Sequence, residues 1–215
     1  MESNRLLLIG GGGHCSSVAD CLPDSFQEIG IVGIDSEKGK VLYGIKVVGS
    51  DDDLQHLYRN GWKYAFITIG SVGQTTRRRE KARELEDIGF RFPTVMDTTS
   101  VVSGKAEISE GTIIGKRACV NTNCRIGRHV IINTGAILDH GCTIGDFAHI
   151  SPGAVLCGDV IIGDDSHIGA GSVVKQGVTV GRNVLIGAGS VVLHDLPDNV
   201  LAYGNPCRII KERTE

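Results

Sequence analysis

Residues 126–156 read IGRHVIINTGAILDHGCTIGDFAHISPGAVL. From Ile126 through Ile132, Leu138, Ile144 and Ile150 to Leu156, every sixth residue is aliphatic. The series extends back through Val120, Ile114 and Ile108 to Val102, and forward through Ile162, Ile168, Val174, Val180 and Ile186 to Val192, without an insertion. Two residues before each aliphatic stands a small or β-branched residue, among them Ala118, Cys124, Val130, Ala136, Cys142, Ala148 and Ser166. Gly or Asn often follows the aliphatic, as at Gly127, Asn133, Gly145 and Gly163, and these residues are read as the points where the chain turns. A helix repeats every 3.6 residues and a strand every two, so neither produces this period. Short repeats of this kind belong to parallel β-helices, whose stacked coils share one core.

The repeat resembles the hexapeptide transferase pattern, aliphatic-Gly-x-x-small-x, whose family fold is a left-handed β-helix of triangular section with three hexads to the coil. Residues i and i+18 then lie above one another at about 4.8 Å. The residues just before the aliphatics sort into three outward columns: Ile113, Ile131, His149, His167, Leu185; Cys119, Ile137, Val155, Val173, Val191; and Glu107, Arg125, Thr143, Ile161, Thr179. Two edges of the prism are therefore expected to be apolar, and apolar patches of that extent mark interfaces. A closed homotrimer suits a triangular prism. The resemblance implies trimers with acetyl-CoA in the crevice between subunits, and it leaves His149 and His167 inside an otherwise apolar seam.

At 215 residues, the chain has room for two domains with a proper core. Its formal charge of −3, with no basic stripe, argues against nucleic acid as a partner. No apolar run reaches the roughly 20 residues of a membrane span and no signal peptide is evident, so a cytoplasmic location is expected, with no membrane partner. The seven cysteines show no CxxC spacing. Cys124 and Cys142, one coil apart at interior positions, read as packing residues rather than as a disulfide.

Residues 1–100 read as an α/β domain, a small Rossmann-like parallel sheet; residues 101–193 are the β-helix and 194–215 a C-terminal cap. Leu6 to Ile9 form a strand that enters Gly10-Gly11-Gly12-Gly13-His14, with a helix expected from Ser16 to Leu22. Strands follow at Ile29–Ile34, ending at Asp35, and at Tyr64–Ile69, ending in Gly70-Ser71; helices are expected near Asp51–Arg59 and from Thr75 or Thr76 through Ile88. A strand, glycine loop and helix start form a phosphate cradle, because glycines let backbone amides approach an anion that the helix dipole favours. The dinucleotide fingerprint is incomplete, since Cys15 stands where a third glycine would follow Gly10 and Gly12. A nucleotide sugar needs less room than a dinucleotide.

Together the two halves resemble the sugar O- and N-acyltransferases of the sialic acid O-acetyltransferase and bacillosamine-pathway type. The resemblance rests on Gly10 to His14, Asp35, Ile69-Gly70-Ser71 with Arg77 beyond it, the segment Asn133 to Gly153, and the tail Gly204-Asn205-Pro206-Cys207. It implies acetyl-CoA as donor with no metal, and a UDP-linked amino sugar as acceptor. The sugar nucleotide would be held by Gly11, Gly12, Gly13 and His14 at the diphosphate, by Asp35 at the base or ribose, and by Ser71 and Arg77. The run Arg77-Arg78-Arg79 reads equally as a solvated helix face.

The histidine matching His140 is the family's general base, and an imidazole titrates near the operating pH such a group needs. The eighteen-residue step puts Gly158 beside it, where an N–H meets the coenzyme or the thioester oxyanion. His149, Asn133 and His167 are expected at the acetyl-CoA pocket. Relatives often place a carboxylate directly after this histidine; here that residue is Gly141, and the adjacent acid is Asp139. Asp139 is accordingly taken as the second catalytic candidate beside His140, although neighbouring strand residues point opposite ways and the orienting group stays open. Phe147, an aromatic at a turn position, is expected to pack on a neighbour or ligand, and His56, His129 and His194 read as surface residues. Three other readings remain: acetylation of a sugar oxygen, a zinc-dependent β-helix carbonic anhydrase built on the seam histidines, and a non-catalytic nucleotide-sugar-binding protein.

Overall fold

A computed structural model describes residues 4–23 and 25–213. By its contacts the chain divides into two units, Met1–Ser71 with Thr76–Val95, and Val72–Thr75 with Met96–Glu215.

The first unit is a five-stranded sheet built from β1 (Arg5–Ile9), β2 (Glu28–Gly33), β3 (Val41–Leu42), β4 (Ile45–Ser50) and β5 (Tyr64–Ile67), in the order β3-β4-β2-β1-β5. All neighbours are parallel except the β3–β4 hairpin. Strand β1, flanked by β2 and β5, is apolar at every position from Leu6 to Ile9 and fully buried, as expected of a parallel strand covered on both faces. The helices are α1 (Gly13–Ala19), α2 (Leu54–Arg59) and α3 (Thr76–Ile88). Helix α1 starts three residues before the expected Ser16, inside the glycine run, and stops short of Leu22. The β3–β4 hairpin has no counterpart in the sequence reading. Its turn is Tyr43-Gly44, with φ of 53° and 79°, and it lacks the Asn-Gly or Asp-Gly pair that announces such turns.

The second unit is the left-handed β-helix. Its coil strands are two residues long, from Val101–Val102 to Val191–Val192, and each pairs in parallel with the strand eighteen residues away: Ile131 with His149, His149 with His167, His167 with Leu185. The aliphatic of each hexad points inward, and from Ile114 to Val192 none is more than 2% exposed. Each such side chain contributes roughly 1.5–3 kcal/mol of burial. Polar members of the small-residue register are satisfied by one recurring device. Ser166 Oγ donates to Gly181 O and accepts the Val184 N–H, while Thr112 Oγ1 does the same with Gly127 O and Val130 N–H. Cys124 Sγ and Cys142 Sγ likewise point at carbonyls fifteen residues ahead, at 3.1 and 3.3 Å, and both thiols are free.

From Ile108 to Ile186 the backbone turns into the left-handed region three residues after the aliphatic, at Gly135, Gly141 and Gly153 but also at Asn123, His129, Phe147, Asp159 and Asp165. Glycines directly after the aliphatic have another role: a Cβ on Gly163 would lie 2.6 Å from the Gly181 carbonyl carbon of the next coil, so they permit close stacking. The column of His149 and His167 is also not a free apolar edge, because Ile113, Ile131 and His167 are already buried within the chain. The second apolar column does reach solvent, with Val101 at 67% and Ile137 at 42% exposure.

The eight-stranded sheet of the stack begins with Val95–Met96 and ends in an antiparallel hairpin, Val200–Gly204 with Cys207–Glu212. The short segment Val72–Thr75 is tied to this unit. Thr75 Oγ1 lies 2.5 Å from Asp165 Oδ1, and the Arg213 guanidinium donates to Gly73 O and, at 3.1 Å, to Asn183 O. Among the described residues no helix is long and apolar enough to cross a membrane.

Candidate active site

In the first unit, a cleft of about 440 Å³ opens at the carboxyl ends of β1, β2 and β5. Gly10 has φ +108°, a conformation open to glycine alone, and its carbonyl accepts the Thr68 hydroxyl at 2.6 Å. Gly12 and Gly13 have open space where a Cβ would stand, so their backbone presents itself directly to a ligand. Of the residues assigned from sequence, Gly11, Gly12, Gly13, His14 and Arg77 line the cleft. His14 is neutral: burial foremost, and then the Arg78 charge, lower its pKa to about 4. Its Nε2 is buried without a hydrogen-bond partner among the described residues.

Asp35 and Ser71 do not line the cleft. The Asp35 carboxylate faces solvent in a salt bridge of 2.8 Å to Lys38. Glu37 lines the cleft, its carboxylate 2.7 Å from where a Gly33 Cβ would lie and 3.3 Å from the Ile34 N–H. Asp51 lines the same cleft, and Gly70 lines it where Ser71 was expected.

In the second unit, His140 sits at a coil corner, about half exposed, with its ring directly over Gly158. A Cβ on Gly158 would come within 2.5 Å of the imidazole, so only glycine fits beneath it. At neighbouring corners an Asn or Asp caps the next N–H: Asn121 for Thr122, Asn133 for Thr134, and Asp139 for His140, each at 2.8 Å. Cys157 precedes Gly158 and has no side-chain oxygen to cap it, and among the described residues the Gly158 N–H has no partner.

Asp139 does not approach the His140 ring. Its Oδ1 accepts the His140 backbone N–H and, at 3.0 Å, the Asn121 amide. The acid beside the ring is Asp159, whose Oδ1 lies 3.9 Å from His140 Nδ1. Asp159 was missed in the sequence, although the step of eighteen from Gly141 arrives at it.

His149 bonds Asn133 at 3.2 Å and meets the His167 ring edge-on at 4.7 Å. His167 in turn bonds Ser151 at 3.1 Å through Nε2, and burial, followed by the Arg213 charge, lowers its pKa to about 4. Both histidines border a groove of about 420 Å³ whose walls include Val72, Leu185 and Leu201. Among the described residues no three His, Cys, Asp or Glu side chains converge to hold a metal. His129 is fully buried, against the expectation of a surface residue, and stacks on Phe147 at 4.8 Å; the same contact supplies the neighbour expected for Phe147.

A hexapeptide β-helix that follows a small parallel-sheet unit is the architecture of the sugar acyltransferases, and here the His140 ring lies over Gly158 between consecutive coils. The comparisons with known proteins agree. The family described as PglD N-terminal domain matches residues 5–85, and bacterial transferase hexapeptide repeats match 141–176 and 159–194. PerB from Caulobacter crescentus, solved with CoA and GDP-perosamine, is 35% identical over 96% of this chain and 97% of its own, with a TM-score of 0.89. The acetyltransferase domain of PglB from Neisseria gonorrhoeae, solved with acetyl coenzyme A, is 33% identical over 96% and 99%, also at 0.89. WeeI from Acinetobacter baumannii is 26% identical over 96% and 100%, at 0.83. No curated protein matches the chain. The chain belongs to the hexapeptide-repeat sugar acyltransferase family of these acetyltransferases.

Proposed function

We propose that this enzyme transfers the acetyl group of acetyl-CoA to the 4-amino nitrogen of a nucleotide-linked sugar, in the cytoplasm and as a homotrimer. The observation that carries this reading is the His140 ring seated over Gly158 with an unpartnered N–H beneath it. The amine attacks the thioester carbon, and its proton passes to the imidazole as the C–N bond forms. The Gly158 N–H donates to the oxyanion that develops on the thioester oxygen. Collapse breaks the C–S bond and the imidazolium returns the proton to the departing CoA thiolate. Asn133, His149 and His167 line the way for the coenzyme, and the glycine loop with neutral His14 and Arg77 holds the diphosphate. Asp139 serves the corner by capping the His140 N–H. Resemblance favours UDP as the carrier, while the GDP-perosamine bound by the Caulobacter relative makes GDP the rival.

The test incubates the protein with acetyl-CoA and UDP-, dTDP- and GDP-linked 4-amino sugars, plus free sialic acid, and follows products by mass spectrometry. An acetylated nucleotide sugar is expected. His140→Ala should keep its circular dichroism and melting temperature while losing at least about 100-fold in kcat. Acetylation of sialic acid alone, or wild-type turnover by His140→Ala, would overturn the assignment.

A further inference from the structure

The corner that follows His140 is built from two residues one coil apart. Gly141 has φ +71° and no side chain, and the space where its Cβ would stand is filled by the Asp159 carboxylate, whose Oδ1 lies 2.1 Å from that point. Asp159 itself occupies a left-handed corner at φ +59°, and its N–H is anchored to the His140 carbonyl at 2.8 Å. The backbone of the two coils thus fixes the carboxylate beside the imidazole, with Oδ1 3.9 Å from Nδ1. Rotation of either half-exposed side chain closes that gap to a hydrogen bond, as catalytic contacts commonly do once a substrate complex forms.

The competing acid, Asp139, is engaged with a backbone N–H and an amide, and the preceding coil presents only uncharged Asn121 and Thr122. We propose that Asp159, reaching across from the next coil, is the positioning residue of this enzyme. It accepts the Nδ1–H of His140, fixes the tautomer with Nε2 free to take the amine proton, and stabilises the imidazolium that forms. Gly141 is the empty seat that admits it. This rests on the reading of His140 as the base.

Three variants test the arrangement. Asp159→Asn should lower kcat at least about tenfold while KM for acetyl-CoA and for the nucleotide sugar stay within about twofold. Gly141→Ala, which leaves both His140 and Asp159 in the chain, should reproduce these changes by displacing the carboxylate. Moving the acid to the earlier coil, in Gly141→Glu with Asp159→Gly, should restore most of kcat; the corner tolerates side chains, as His129 and Phe147 show at φ 55° and 60°. Wild-type kcat in Asp159→Asn would overturn the proposal. Wild-type turnover by His140→Ala would instead remove the base assignment beneath it, so the two failures are separable.

Discussion

Glu37 and Asp35 lie two residues apart, yet the 3₁₀ turn at Asp35–Glu37 sends one carboxylate to Lys38 and solvent and the other over the glycine loop. A strand-end acid commonly reads ribose hydroxyls in such sheets, and the turn decides which acid is available. Glu37→Gln should weaken nucleotide-sugar binding about tenfold, in line with the loss of a hydrogen bond to a charged group, whereas Asp35→Asn should leave it unchanged. Titration calorimetry with the nucleotide diphosphate checks both. Periodicity alone made the pairing of His140 with Gly158 legible, since the step of eighteen is covalent arithmetic. Asp159 obeys the same arithmetic but lies far from His140 in sequence, so inspection of adjacent residues finds Asp139 instead. His129 escaped for a related reason: its burial depends on Phe147 covering it from the next coil and on Gly111 making room in the previous one.

At the scale of the coil, glycine has two separable duties that composition does not distinguish. Gly163 has ordinary backbone angles but faces the backbone of Gly181 and Arg182 at 2.6–2.7 Å from a would-be Cβ. Gly135 is the reverse case, with φ +65° and nothing within 4 Å. Gly163→Ala should therefore destabilise by about 1–3 kcal/mol through forced separation of coils. Gly135→Asn should stay within about 0.5 kcal/mol of wild type, because Asn123 and Asn183 already hold the same corner at φ 59° and 52°. Thermal melting of the two variants ranks them directly, and equal losses would dismiss the distinction. The coils were readable from sequence because every hexad repeats one inward pattern. The β3–β4 hairpin was not, since its short strands carry no comparable repetition and its turn is closed by Tyr43-Gly44.

Across the whole molecule, the apolar column that remains open, from Val101 through Ile137 to Val191, is the surface on which copies of this chain are expected to meet. Sedimentation equilibrium should give three times the monomer mass, and Ile137→Asp, which places a charge at 42%-exposed Ile137, should yield monomers. A monomeric wild type would exclude the trimer. The chain does not pass once from one unit to the other: it crosses after Ser71, returns after Thr75 and crosses finally after Val95. The two units are consequently interleaved along the sequence. A chimera that grafts a different first unit at a single splice near residue 95 would import a foreign loop in place of Val72–Thr75, and with it would go the Gly73 carbonyl that Arg213 binds and the Thr75 hydroxyl beside Asp165. Exchange of the first unit by recombination therefore requires three splice points, or a donor that already carries the same four residues.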